Sequence, residues 1–211
     1  MDIAENAARS RVQDIFQVRC NFYLEHFAHY YGKEIAAKNP NDYAICQTTT
    51  ERVFEAIEKW QSSPKSGLIL AGNAGNGKTT IARAIFLAAQ RYAEQNFTGA
   101  EKARNLPAWA TAKQVVGVVE AGKDDVYSRF EAKQILFIDD FGEEATDANR
   151  FGNIKTPMID LLEERYFRKS ATIITTNLSM EAIKEKYGAR VEDRLKEMCA
   201  VIGFNEKSFR K

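Results

Sequence analysis

Two hydrophobic rhythms alternate along this chain. Gly67-Leu68-Ile69-Leu70-Ala71 and Ile135-Leu136-Phe137-Ile138 are short runs that stay apolar without alternating. Parallel strands covered on both faces read this way, because none of their residues has to meet water. Between and after them the period lengthens. The pattern predicts a helix from about Lys78 to Asn96, a short strand around Ala108–Ala112, and helical material up to about Ala132. Thr156 as N-cap and Pro157 at the first helical position open another helix, whose apolar stripe is Met158, Leu161, Leu162 and Tyr166. Ala171–Thr176 reads as the next strand. A helix that Ser179 can cap and Gly188 can end comes after it, then a helix over about Arg190–Met198 and a last strand, Cys199–Phe204. Strands alternating with helices imply a mostly parallel sheet with helices on both faces, an α/β fold.

The first third of the chain reads differently. Val12, Ile15, Phe16, Phe22 and Phe27 recur at helical spacing, joined by Tyr23, Tyr30 and Tyr31. Gly32 suits a helix stop, and Lys38-Asn39-Pro40-Asn41-Asp42 suits a linker. Thr48 and Glu51 form a capping-box pattern for a helix reaching Trp60, ended by Ser62-Ser63-Pro64. The expected organisation is a helical module over 1–40 and an α/β domain over 41–211.

Composition narrows the setting. With 45% hydrophobic and 28% charged residues, the 211-residue chain suits a folded domain with a sizeable core. Its 30 basic and 29 acidic residues leave a net charge of +1, which gives no electrostatic reason to propose a duplex-DNA binder. Cys20, Cys46 and Cys199 are widely spaced and only two histidines accompany them, so a structural zinc is not expected. Unpaired thiols suit a reducing compartment. No apolar run approaches the ~20 residues of a membrane helix, and Met1-Asp2-Ile3-Ala4-Glu5-Asn6 lacks a signal-peptide pattern. A cytoplasmic protein without membrane contact is expected.

The candidate chemistry sits at strand ends. Gly72-Asn73-Ala74-Gly75-Asn76-Gly77-Lys78-Thr79, followed by Thr80, fits GxxxxGK[ST] between a predicted strand and a predicted helix. Glycines let the backbone curl so that successive N–H groups face phosphate oxygens, Lys78 supplies charge near the β/γ oxygens, and Thr79 offers a hydroxyl to Mg²⁺. Asp139 and Asp140 end the strand 135–138 at the carboxyl edge, where ligands of such sheets bind. Asp139 is expected on the Mg²⁺ side, holding the metal through water. Asp140 is placed to orient or deprotonate the attacking water, or is a solvated turn carboxylate. Thr175-Thr176-Asn177 closes the next strand at the same edge, putting an amide within reach of a γ-phosphate.

Taken in order, the phosphate loop, ILFIDDFG (135–142), LLEERY (161–166), TIITTNLS (172–179), YGARVEDRL (187–195) and FNEKSFR (204–210) resemble the AAA+ ATPase domain of the bacterial replicative helicase loader DnaC and its relatives, over roughly 44–211. The resemblance implies a P-loop AAA+ sheet flanked by helices, its lid domain absent or truncated. The implied cofactors are ATP and Mg²⁺. It makes Asn177 the sensor-1 residue and Arg194 the arginine finger for a neighbouring subunit, with Arg190 a second candidate. The residues alone favour two solvated arginines bridged to Glu197 or Asp193.

The implied partners are a hexameric replicative helicase of the DnaB type and, potentially, single-stranded DNA, with homo-oligomers forming when ATP is bound. Asp140 stands where many AAA+ proteins have Glu, which implies slow hydrolysis. In loaders the N-terminal module grips the helicase; here its aromatics suit that role or packing against the ATPase domain. Initiator-type relatives place DNA contacts near Asp124–Glu131, where Lys123, Arg129 and Lys133 are candidates, but a solvated charged helix is the favoured reading. The related IstB-type transposition ATPase shares this core and differs mainly in its partner. A nucleotide-gated adaptor with little turnover is a third reading.

Overall fold

A computed structural model describes residues 65–204 apart from 151, together with 22, 26, 29, 30, 54, 57, 58, 60 and 63. Fourteen elements are needed to place the site, and β1 (Gly67–Gly72) and α1 (Lys78–Asn96) come first. They are followed by α2 (Gly99–Asn105), β2 (Ala108–Thr111), α3 (Ala112–Glu120) and α4 (Asp124–Ala132). Next come β3 (Ile135–Phe141), β4 (Ala148–Arg150), β5 (Asn153–Lys155) and α5 (Pro157–Phe167). The last are β6 (Ala171–Thr176), α6 (Met180–Tyr187), α7 (Ala189–Met198) and, completing the sheet, β7 (Cys199–Phe204).

The main sheet is parallel throughout, in the order β2-β3-β6-β1-β7. Its strands are apolar on both faces because both are covered, and side chains alternate between two cores. Leu68, Leu70, Phe137 and Ile173 pack with Ile81, Ile85 and Ala88 of α1 and with Trp60. Ile69, Leu136, Ile138 and Ile174 pack on the other face with Leu161 and Leu162 of α5, Ile183 of α6, and Val191 and Leu195 of α7. Each fully buried Leu or Ile contributes roughly 1.5–3 kcal/mol by leaving water, which makes this two-sided burial the fold's main support.

The predicted bounds of α1, β6 and β7 and the caps of α6 hold: the Ser179 hydroxyl accepts from Ala182 N–H, and Gly188 ends the helix at φ 92°. Thr156 stands at the N-cap of α5, but its hydroxyl makes no capping bond and donates instead to Asp160 at 3.2 Å. The stripe of α5 is also shifted. Tyr166 is only partly buried, and Arg165 takes the core position beside Met158, Leu161 and Leu162. Neither α2 nor a β4–β5 hairpin was anticipated. The hairpin turns at Gly152 (φ 84°), buries Ala148 against Val116 and Val119, and is pinned by Arg150 to both oxygens of Asp124, at 2.5 and 2.9 Å.

In the N-terminal third, Phe22, Tyr30 and Phe54 lie against the α1-side core, with the Phe22 ring edge-on to Tyr92 at 5.3 Å. The expected stop at Gly32, the linker 38–42, the pair Thr48/Glu51, the rest of the N-terminal pattern, Cys20 and Cys46 lie outside the described residues. Cys199 is buried, and burial pushes its thiol up to about 12. Among the described residues no helix is long and apolar enough to cross a membrane.

Arg165 is fully buried with no carboxylate partner among the described residues, and burial pulls its guanidinium down to about 9. It donates to Thr172 Oγ1 at 2.9 Å and to the carbonyls of Phe130 (2.8 Å), Lys133 (2.9 Å) and Ala171 (2.5 Å). It thereby fastens the C-terminus of α4 to the start of β6. Arg165→Ala should leave a cavity and three part-buried carbonyls that each lose a donor, costing at least ~3 kcal/mol of unfolding free energy in urea denaturation. A loss under ~1 kcal/mol would mean that water or backbone movement replaces the guanidinium.

Candidate functional site

The phosphate loop joins β1 to α1. Gly72 has φ 151°, and Gly75 and Gly77 are left-handed at 86° and 88°. A Cβ on Gly72 would stand 2.2 Å from Phe204 O, so the loop is pressed against the end of β7 where only glycine fits. Asn76 secures this contact, its buried amide donating to Phe204 O at 2.9 Å. Its side chain therefore braces the loop, while Asn73 and Ala74 are exposed and Thr80 is half-buried on the first turn of α1. That turn carries no acidic residue, which leaves the positive end of the helix dipole open to an anion.

Lys78 is 7% exposed. Its ammonium donates to Gly72 O (2.7 Å), Asn73 O (2.8 Å), Asn76 Oδ1 (3.1 Å) and Asn177 Oδ1 (3.0 Å). The charge is thus folded into its own loop and solvated by neutral oxygens. Asn177, just beyond β6, meets Lys78 where the sequence places the two strand ends side by side.

Asp139 and Asp140 lie inside β3, which runs three residues past the expected end. The β3–β6 register slips between Ile138 and Phe141, and the bulge turns the two aspartates to different uses. Asp139 is buried, and its Oδ1 accepts from Thr79 Oγ1 at 2.9 Å and Thr175 Oγ1 at 2.5 Å. Asp140 adopts φ 54°, its N–H donates to Thr175 Oγ1 at 3.0 Å, and its side chain is exposed. Partial burial first, then the charges of Asp139 and Glu143, raise its carboxyl above the usual range.

A hydroxyl and a carboxylate 2.9 Å apart beside a glycine cradle form the hard-oxygen set that Mg²⁺ prefers. The donors present therefore fit a Mg²⁺–nucleotide. In chemical terms the edge offers a cation, the N-terminus of α1, a hydroxyl–carboxylate oxygen pair and an exposed carboxylate.

Arg190 and Arg194 share a carboxylate partner that the sequence reading missed. Glu163 Oε1 on α5 lies 2.5 Å from Arg194 and 3.2 Å from Arg190. The bridges expected to Glu197 or Asp193 do not form, and Glu197 instead accepts from Tyr166 Oη at 2.5 Å. Arg194 is only 12% exposed and lies over the rings of Tyr166 and Phe167 at 5.2 and 5.1 Å, whereas Arg190 is 68% exposed. Of the proposed DNA contacts, Arg129 pairs with Asp125 and Lys133 donates to Ala103 O. Lys123 is the N-cap residue of α4.

Other contributors were also unmarked by motif. Glu144 is buried behind the acidic pair, accepting from Tyr187 Oη and from Gly142 N–H, and Lys186 holds the carbonyls of Gly142 and Glu144 at 2.5 and 2.6 Å. Burial, followed by the bond to Glu144, raises the Tyr187 hydroxyl far above its ordinary value.

The parallel sheet, glycine loop and acidic strand end define a P-loop nucleotide-binding protein of the AAA+ type. The chain belongs to the IstB-like ATP binding protein family, whose profile matches residues 42–211.

Among solved structures, a candidate primosome component from Streptococcus pyogenes serotype M3 is similar at a TM-score of 0.55 and 17% identity, covering 80% of this chain and 83% of that one. DnaI is similar at 0.53 and 18%, covering 73% and 84%. The replication initiator DnaA bound to AMPPCP and single-stranded DNA is similar at 0.51 and 15%, covering 76% of this chain and 46% of that one. At these identities the likeness is one of fold. No curated protein matches the chain.

The contact between Lys78 and Asn177 makes a specific prediction. Asn177→Asp would put a carboxylate where an amide oxygen now meets the ammonium at 3.0 Å, competing with a phosphate for the same charge. ATP affinity, measured by titration with a fluorescent analogue, should fall at least ~10-fold, about 1.4 kcal/mol. Asn177→Ala should change it less. Equal affinity in Asn177→Asp and the parent would remove Lys78 from the phosphate path.

Proposed function

We propose that this protein is a Mg²⁺- and ATP-dependent AAA+ switch that delivers a hexameric replicative helicase of the DnaB type to single-stranded DNA. The observation that carries the reading is the convergence of Lys78, Thr79, Asp139, Asp140 and Asn177 at one sheet edge. The backbone of Gly72–Thr80 and the ammonium of Lys78 hold the phosphates. Thr79 and, through water, Asp139 hold Mg²⁺, which when bound neutralises charge on the β/γ oxygens. Asp140 orients the attacking water, and Asn177 bonds the γ-phosphate or that water.

Arg194, with Arg190 beside it, completes the site of a neighbouring subunit, so activity belongs to an ATP-bound homo-oligomer in the cytoplasm. Residues 1–40 contact the partner, while Phe22 and Tyr30 also lean on the ATPase core. The primosome and DnaA neighbours support a replication setting. The family match supports equally a transposition helper of the IstB type. Capture of a hexameric helicase by the ATP-loaded protein, and not of a transposase, separates the two.

Lys78→Ala should abolish tight ATP binding, since it removes the charge directed at the β/γ-phosphates; unchanged affinity would sink the site assignment. Asp140→Asn should still bind ATP but lose turnover, by ~10²–10⁴-fold if Asp140 moves a proton. Equal steady-state rates would return Asp140 to a solvated turn residue.

Arg194→Ala should bind ATP and lose turnover by up to ~10³–10⁵-fold. Mixing it with Asp140→Asn should recover part of the activity, because one subunit then lends its finger to a neighbour that keeps its base. No recovery, or parental turnover in Arg194→Ala alone, would refute action in trans.

A further inference from the structure

The structure assigns to Thr175 a positioning role: its hydroxyl sets the geometry of both aspartates and so tunes how the site takes Mg²⁺. The inference rests on the Mg²⁺–ATP reading above and names a residue that reading does not use. Thr175 is 2% exposed on β6, next to the strand that carries the acidic pair. A hydroxyl has a single proton to give. That of Thr175 goes to Asp139 Oδ1 at 2.5 Å, while its oxygen accepts the N–H of Asp140 at 3.0 Å. One side chain thus binds the side chain of one aspartate and the backbone of the next.

Both ends of this link matter. Thr79 also donates to Oδ1 of Asp139, at 2.9 Å, and among the described residues no donor reaches Oδ2. The two hydroxyls fix the carboxylate plane and leave its other oxygen for a metal-bound water. At the other end, Asp140 sits at φ 54° in the bulge, a conformation that non-glycine residues hold only when their surroundings enforce it. The bond from its N–H to Thr175 is such an enforcement. Without the hydroxyl, Asp139 loses a donor, the part-buried Asp140 N–H loses its acceptor, and the direction of the Asp140 side chain is no longer set. Outer-shell partners of ligating carboxylates typically carry ~10–100-fold in metal affinity or activity.

The test compares Thr175→Val, which keeps the shape and removes the hydroxyl, with Thr175→Ser, which keeps the hydroxyl. A second hydroxyl-free variant, Thr175→Ala, serves if the valine protein does not fold. Affinity for a fluorescent ATP analogue is titrated against Mg²⁺ and in EDTA, and kcat and KM are measured at saturating Mg²⁺. The Mg²⁺ concentration for half-maximal tightening should rise ~10-fold or more and kcat should fall ~10–100-fold in the hydroxyl-free variants. Affinity in EDTA and KM for ATP should stay near parental, and Thr175→Ser should restore both changed quantities.

Parental Mg²⁺ dependence and kcat without the hydroxyl would overturn the role, as would a serine variant as impaired as the valine one. A parent whose ATP affinity ignores Mg²⁺ would overturn the Mg²⁺–ATP reading and this inference with it. In that case the failure shows in the parent and not in the variants.

Discussion

A charge taken out of water must find substitutes for its hydration shell, and this fold buries two of opposite sign at one sheet edge. Lys78 and Asp139 are each 7% exposed. The ammonium meets four neutral oxygens, three of them from its own loop, and the carboxylate meets two hydroxyls. Because β3, β6 and β1 lie side by side and parallel, their carboxyl ends bring Asp139, Asn177 and the loop together without any long connection. The glycines at 72, 75 and 77 let loop carbonyls turn toward Lys78. Such carbonyls are replaceable partners, which is what an anion site requires.

Arg165, near the start of β6, shows the contrasting case. It too is a buried cation, yet its donors meet carbonyls and a hydroxyl at the end of α4 and the start of β6. Nothing there can swing away to admit a ligand. Similar desolvation thus yields a strut near one end of the sheet and a charge held by a glycine-rich loop at the other, and the difference lies in the stiffness of the acceptors. Arg194 lies between the two. Its clamp of one carboxylate and two rings is local and part-exposed, so an incoming phosphate could displace Glu163 without unfolding a helix.

The parallel sheet was legible because its strands are apolar on both faces, and α1 because Ile81, Ile85 and Ala88 repeat at helical spacing. The phosphate loop was legible because its glycines answer a backbone need that few other residues meet. The hairpin was not. Ala148–Arg150 and Asn153–Lys155 are three residues each, mostly polar, and Ile154 is 75% exposed, so no alternation marks them. Arg165 carried no signal in the sequence, because its burial depends on carbonyls 32 and 35 residues away. Glu163 failed for a similar reason. Intrahelical spacing pointed the arginines of α7 to Glu197 and Asp193, while the packing of α7 on α5 supplied a closer carboxylate. Thr175 was visible only as part of a polar strand end, since its use depends on the slip in register beside it.

The nucleotide edge and the arginine face are one connected structure. Phe141 follows Asp140 directly and stacks on Tyr187, with ring centroids 4.6 Å apart, while Thr176 Oγ1 donates to its carbonyl at 2.6 Å. Gly142 and Glu144 are held in turn by Lys186 and Tyr187, the last two residues of α6. Gly188 then opens α7, which carries Arg190 and Arg194. A shift of the Asp140 backbone therefore cannot be absorbed by a loose loop. It must either break several buried or part-buried hydrogen bonds and a ring contact, at roughly 1 kcal/mol apiece, or carry the end of α6 with it. The second course is cheaper wherever Gly188 can take up the change in angle, and its φ of 92° places it among the backbone positions freest to do so.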